Sequence, residues 1–423
     1  MIGCCEALEY IAYVSASTIA FVDLIVHVSP SLESISPLLW ALFYISALAI
    51  QIKGGHIFWG FNLSIGIISL VIVVMYCLGS FAYVDYSKYA ADPELQFVDG
   101  FQGFMKALPL AAWFFVGVEA LSLSSDQVEQ PKKIVPTAQV ACVLTLFVTG
   151  LIVYFVTLSL PPGLSSLPTE VVPFNRGFTL MFNIDHHAAT VLSLPATYAT
   201  GFGFMWCYGK LIVAMANSRL LPQFLAKTTK VDEVPYGALI TGSTISYALC
   251  IVAYFVPVVG ENLFHVCILA AFMSYTGQCV GYIALKKNYR NIKSSEFQSP
   301  FGVAGAVYSM IVWILSSIAV LGFQNSGGVE VTVFFSMTTL LTLLYFGYSR
   351  KRQTFSSAEN RIMLVAHVTK FNMKKNVVRK KTRIHNASSS KPSGGVTETS
   401  LRESKWGPKS IKASPHLATN TAR

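Results

Sequence analysis

Seven consecutive residues, Trp113, Phe114, Phe115, Val116, Gly117, Val118 and Glu119, set three aromatic rings, a glycine and a carboxylate inside one apolar run. An ionisable group at membrane depth costs roughly 2.5–3.5 kcal/mol or more, so it faces a cavity or a partner. A glycine beside it weakens the helix and lets backbone approach a ligand. Backbone groups freed in this way are tolerated in a membrane only where they line a cavity or pack within protein. Consecutive rings at 113, 114 and 115 cannot share one helix face, so at least one lines a cavity or packs on a neighbour. An aromatic face attracts an ammonium group, and a half-helix N-terminus attracts a carboxylate. The chemistry that suits these residues is recognition of a zwitterion or an amine. The bland alternative is a Glu119 that hydrogen-bonds between helices for packing alone.

The elements that must position this segment are membrane spans. The chain has 423 residues, 53% hydrophobic and 12% charged. Soluble domains run at about 25% charged. A span needs about 20 mostly apolar residues. Ten such runs are expected, at 10–28, 36–52, 57–83, 103–124, 137–160, 188–210, 236–258, 262–285, 302–323 and 328–348. Breakers separate them, among them Pro30, Gly54, Gly55, Pro131, Pro161, Pro162, Pro235 and Pro300. The expected fold class is an all-α membrane protein. Residues 1–348 form the transmembrane domain, and 349–423 form a basic, largely disordered tail.

Charge orients the spans. The net charge is +10, but residues 349–423 alone hold 17 Lys/Arg against 3 Asp/Glu. The basicity therefore belongs to the tail, not to a nucleic-acid-binding domain. The even-numbered loops hold ten basic residues, and the odd-numbered loops hold Lys88 and Arg176. The positive-inside rule then places both termini in the cytoplasm. A plasma-membrane location is the expectation. The outer loop 84–102 carries Asp85, Asp92, Glu94 and Asp99, and reads as solvated or as a cation-enriching entrance. In the tail, Lys374, Lys375, Arg379, Lys380, Lys381 and Arg383 form a cluster suited to anionic lipid. The same stretch also reads as solvated, disordered chain.

Other groups are less telling. Lys106 and Lys210 lie near span ends and read as snorkelling anchors. Asp23 and His27, one turn apart near the outer end of the first span, read as a wet mouth or as a proton relay. Glu6 and Glu9, together with the lack of a basic leader, argue against a cleavable signal peptide. The eight cysteines form no CxxC pair, so no metal or disulfide framework is expected. Cys4 and Cys5 read as apolar fillers or as palmitoylation sites. No cofactor is implied. No nucleophile elbow, P-loop, HExxH or channel filter is present, so an enzyme or a channel is not expected.

Trp113–Glu119, followed by Glu129-Gln130-Pro131-Lys132-Lys133-Ile134-Val135-Pro136, resembles a helix and loop of the amino acid–polyamine–organocation transporter superfamily. The pattern there is aromatic–x–aromatic–x–Gly–x–Glu, then acidic–x–Pro–basic–x–Ile–x–Pro. Lys210 through Arg219-Leu220-Leu221-Pro222, then Pro235 and Ala238, is similar to a second family segment. It differs in having Lys210 where the family usually has Arg, and in lacking a loop Gly. Gly3 through Glu9-Tyr10-Ile11 resembles the third helix of ethanolamine and amino acid permeases. The resemblance covers about 1–348. It implies a leucine-transporter-type fold of two inverted five-helix repeats plus two helices, with the ten spans matching family helices three to twelve. The first repeat would then lack its two opening helices, one of which supplies a Gly-rich, carboxylate-binding break, and the chain reads as a fragment of a longer transporter.

The expected function is secondary active transport of an amino acid or small amine by alternating access, with protons as the expected coupling ion. Trp113, Phe114, Phe115, Gly117 and Glu119 are the expected substrate-binding and gating residues. The rival expectation is a truncated, non-transporting permease-like protein that serves as a nutrient sensor or partner subunit.

Overall fold

A computed structural model describes residues 2–92, 98–288, 297–324, 328–354, 360–361, 364–365, 367–368 and 371–372. The chain divides into two units, Met1–His367 and Val368–Arg423, and every element below belongs to the first. The lipid-binding cluster expected at Lys374–Arg383 lies outside the described residues.

Among the described residues, ten principal helices follow the apolar runs. They are α1 (Ile2–Val28), α2 (Ser36–Lys53), α3 (Gly55–Ser80), α4 (Gly100–Trp113) and α5 (Pro131–Leu158). Then come α6 (Leu194–Asn217), α7 (Tyr236–Phe255), α8 (Pro257–Asn288), α9 (Gly302–Phe323) and α10 (Val329–Leu344). Proline opens several of them, because its missing N–H is unpaired in a first turn anyway. Pro37, Pro131 and Pro195 sit there in α2, α5 and α6. Lipid facing is written in the exposed apolar side chains, such as Leu63, Leu70, Val71 and Leu78 on α3 and Leu144, Phe147 and Leu151 on α5. This is an all-α, multi-pass integral membrane protein.

Two elements depart from the expected runs. Among the described residues, nine helices are long and apolar enough to cross a membrane, and the run at 103–124 is not one of them. That run splits into α4, which ends at Trp113, an irregular stretch at 114–118, and a 3₁₀ turn at Glu119–Ser124. The first helix begins at Ile2, ahead of the apolar run at 10–28, which brings Glu6 and Glu9 into the helix. They are accommodated because they turn to protein, not lipid.

The core is built around α1, which packs against α6, α8 and α7. Tyr10, Val14 and Val22 of α1 are fully buried, as are Phe202, Met205 and Tyr208 of α6. With lipid outside, helices gain little by hydrophobicity alone, so small polar pairs help hold them together. Ser15 of α1 meets Ser246 of α7 at 2.8 Å between hydroxyls, and Tyr44 of α2 joins Ser246 at 2.6 Å. On the side of the odd loops, buried Arg176 binds the Gly163 carbonyl at 2.9 Å, Ser166 Oγ at 2.7 Å and Glu170 at 3.2 Å.

Candidate functional site

The break after α4 is made by residue type and then secured by side chains. Gly117 has φ +96°, a conformation that strains any residue with a Cβ. A Cβ there would also lie 2.8 Å from Phe204 Cζ. The helical ladder gives way to short bonds: Phe115 N–H to Ala112 O at 3.0 Å and Ala120 N–H to Gly117 O at 3.1 Å. Two freed groups find side-chain partners, as a membrane interior requires. The Gly117 N–H donates to Glu119 Oε2 at 3.0 Å, and Gln139 Nε2 of α5 donates to the Val118 carbonyl at 3.4 Å.

Glu119 also reaches two distant helices. Its Oε2 accepts from the Tyr275 hydroxyl of α8 at 2.9 Å, and its Oε1 lies 3.1 Å from the Tyr10 hydroxyl of α1. Tyr10 lies equally 3.1 Å from Glu6 Oε1, and Tyr275 lies 3.3 Å from Glu9 Oε1. Ser274 Oγ donates to Glu6 Oε2 at 3.4 Å. Glu9 is fully buried, and its Oε2 has no hydrogen-bond partner. The five groups form one chain of contacts in the order Glu6, Tyr10, Glu119, Tyr275, Glu9.

The three expected aromatics part company. The Trp113 ring stacks on Tyr13 of α1 at 4.3 Å, with Phe264 of α8 at 3.8 Å. Tyr13 stacks in turn on Phe204 of α6 at 4.1 Å. Phe114 points to α5, where a Cβ on Gly150 would meet it at 2.9 Å, and it remains 46% exposed. Phe115 is half-buried beside Phe114, with ring centroids 6.1 Å apart. A cavity of about 600 Å³ lies against the break, and Tyr13, Asn62, Trp113, Phe114, Gly117 and Phe204 are among its lining. Phe115 and Glu119 do not line it. The Glu119 carboxylate turns instead to α1 and α8.

Of the other charged groups singled out in the sequence, Lys210 and Lys106 have partners elsewhere. Lys210 Nζ sits 2.8 Å from the Asp126 carboxylate, and Lys106 is 4.0 Å from Asp99. Asp23 is exposed, and the His27 ring is 5.5 Å from that of His187. Sequence reasoning missed Glu6, Glu9, Tyr10, Tyr13 and Tyr275 as part of the site. A signal for the first four was present: positions 6, 9, 10 and 13 share one face of a helix.

A broken, half-polar segment thus lies among long apolar helices, beside an aromatic-walled cavity. The chain belongs to the amino acid permease family, whose pattern it matches over residues 6–356. It is 22% identical to the lysine-specific permease of Lactococcus lactis over 344 residues, which covers 74% of this chain and 66% of that protein. It is 22% identical to the histidine permease of the same organism, covering 61% of this chain and 57% of the relative. It is 24% identical to a cadaverine/lysine antiporter of Escherichia coli, covering 69% and 65%. The chain thus spans less than two thirds of the length of each of these relatives.

Proposed function

We propose that this protein carries an amino acid or small amine across a membrane by alternating access, coupled to protons. The observation that carries the reading is the break itself. Gly117 borders the cavity, and its amide is held by Glu119, which is tied through Tyr10 and Tyr275 to two other helices. A segment held by hydrogen bonds rather than by a continuous ladder can rearrange while the helices around it stay packed. Glu119 is the gate-coupling carboxylate, and Gly117 permits the bend. Trp113, with both neighbouring rings against it, is a gate contact. Phe114, the more exposed ring, is the better placed for an ammonium group, with Phe115 supporting it. The names of the relatives favour lysine and histidine as first probes. Both termini are cytoplasmic in this reading, and the membrane is the plasma membrane.

The test is uptake by the full 423-residue chain in proteoliposomes. Radiolabelled lysine, histidine and a small diamine are offered with the outside acidic. Saturable accumulation above empty liposomes is expected. Correctly inserted protein that accumulates none of these, nor any other amino acid, would favour a non-transporting sensor.

A further inference from the structure

The chain Glu6–Tyr10–Glu119–Tyr275–Glu9 contains four oxygen–oxygen contacts, at 3.1, 3.1, 2.9 and 3.3 Å. Each contact is closed by one O–H donor, and buried oxygens left facing each other without a donor are costly. A tyrosine hydroxyl brings one proton. Tyr10 and Tyr275 therefore account for two of the four contacts. Sharing each tyrosine proton between two carboxylates would leave three carboxylates ionised side by side in a buried site, which is very costly. The other two protons therefore sit on carboxyl oxygens.

Three arrangements satisfy that count, since Glu119 can carry at most one proton. One of them leaves Glu9 as the anion. Glu9 is fully buried, its Oε2 has no partner, and its Oε1 has the single contact with Tyr275. A buried carboxylate with one donor is very costly, so Glu9 holds a proton. The second proton is on Glu6 or on Glu119. Glu119 has three donors within 3.1 Å: Tyr10, Tyr275 and the Gly117 amide. Glu6 has Tyr10 at 3.1 Å and Ser274 at 3.4 Å. Charge settles where donors are most numerous and closest.

We propose that Glu6 and Glu9 of α1 are carboxylic acids that hold two protons, and that Glu119 is the one carboxylate they surround through Tyr10 and Tyr275. Each tyrosine donates to Glu119 and accepts from its acid. The other titratable groups against this chain are Cys5 and Tyr13 of α1, Cys207 of α6 and Cys267 of α8. None of these four side chains is basic, and the described residues place no Lys, Arg or His against the acids. The role in coupling rests on the transport reading above; the proton count rests on the oxygen geometry and the burial of the acids. If the segment that bears Glu119 moves away, each acid loses the link to its anion, and the stored protons are free to leave.

Infrared spectroscopy of the full chain in lipid nanodiscs separates the two questions, because it needs no transport. Glu6→Gln and Glu9→Gln should each remove one carboxylic-acid carbonyl band, and Glu119→Gln should remove a carboxylate band instead. Loss of an acid band in Glu119→Gln, or of a carboxylate band in Glu9→Gln or Glu6→Gln, overturns the assignment. Tyr275→Phe guards against a variant that fails to fold. The Glu9 acid band should persist there and shift as its acceptor disappears; an unmoved band, or its loss, overturns the proposal. A passed infrared test with no proton-dependent uptake would reject the coupling reading and leave the proton count standing.

Discussion

The Trp113 indole lies on the Tyr13 ring, with centroids 4.3 Å apart and planes 16° from parallel. The last residue of α4 is thereby fastened to the central helix at the very point where its own hydrogen-bond ladder stops. The stack continues to Phe204 of α6, and Phe204 in turn lies under Gly117. Truncating Trp113 to alanine should lower stability by about 3 kcal/mol, as for a large ring that packs in a core. Trp113→Phe should keep more than half of it. Thermal melts in lipid nanodiscs check the order; equal losses would mean that the stack carries little.

Gly117 answers to two constraints at once, its positive φ and the nearness of Phe204. Gly117→Ala is expected to cost about 1–3 kcal/mol in strain. Adding Phe204→Leu should recover the steric part but not the conformational part. A double variant as stable as the parent would show that φ matters less than the clash.

The apolar runs made the helices legible, because span length and hydropathy are local properties. Gly117 and Glu119 were legible for a related reason: their types are unfavourable in a membrane helix unless the helix breaks. The hydrogen-bond partners were not. Tyr275 lies 156 positions beyond Glu119, and no local pattern announces that pairing. The first turns of α1 are not legible as helix because Glu6 and Glu9 lower the local hydropathy, while their contacts with α8 are a tertiary property. The splitting of 103–124 was half-visible. The glycine pointed to it, but run length alone read as one continuous span.

The two tyrosines act on one carboxylate, so their effects should not add. Glu119→Gln combined with Tyr275→Phe should show a coupling energy of about 0.5–3 kcal/mol, and likewise with Tyr10→Phe. A double-mutant cycle of melting measurements gives the number. Strict additivity would mean that the contacts are incidental.

Proton-coupled influx should quicken as the outside becomes more acidic, because the proton is then a co-substrate. Glu119→Gln removes the anion at the centre of the chain and should flatten that profile while leaving any exchange of substrate across the membrane. Initial rates over a series of outside pH values decide. A Glu119→Gln protein that keeps the full slope would remove Glu119 from coupling.

Gln139 should matter more than an ordinary polar side chain on a lipid-facing helix, since it serves the Val118 carbonyl. Gln139→Leu is expected to destabilise by about 1 kcal/mol. The nearby Thr137→Val, whose hydroxyl only bonds its own helix, is the control and should change little.

The bond from the Gly117 amide to Glu119 Oε2 spans two residues of one chain. Charge and main-chain shape are therefore written into each other at this point, with no messenger between them. Whatever alters the electron density on that oxygen is felt at once as slack or tension in the peptide two positions back. A permease that has to turn a chemical event into a movement would find both ends of the conversion within the reach of one side chain.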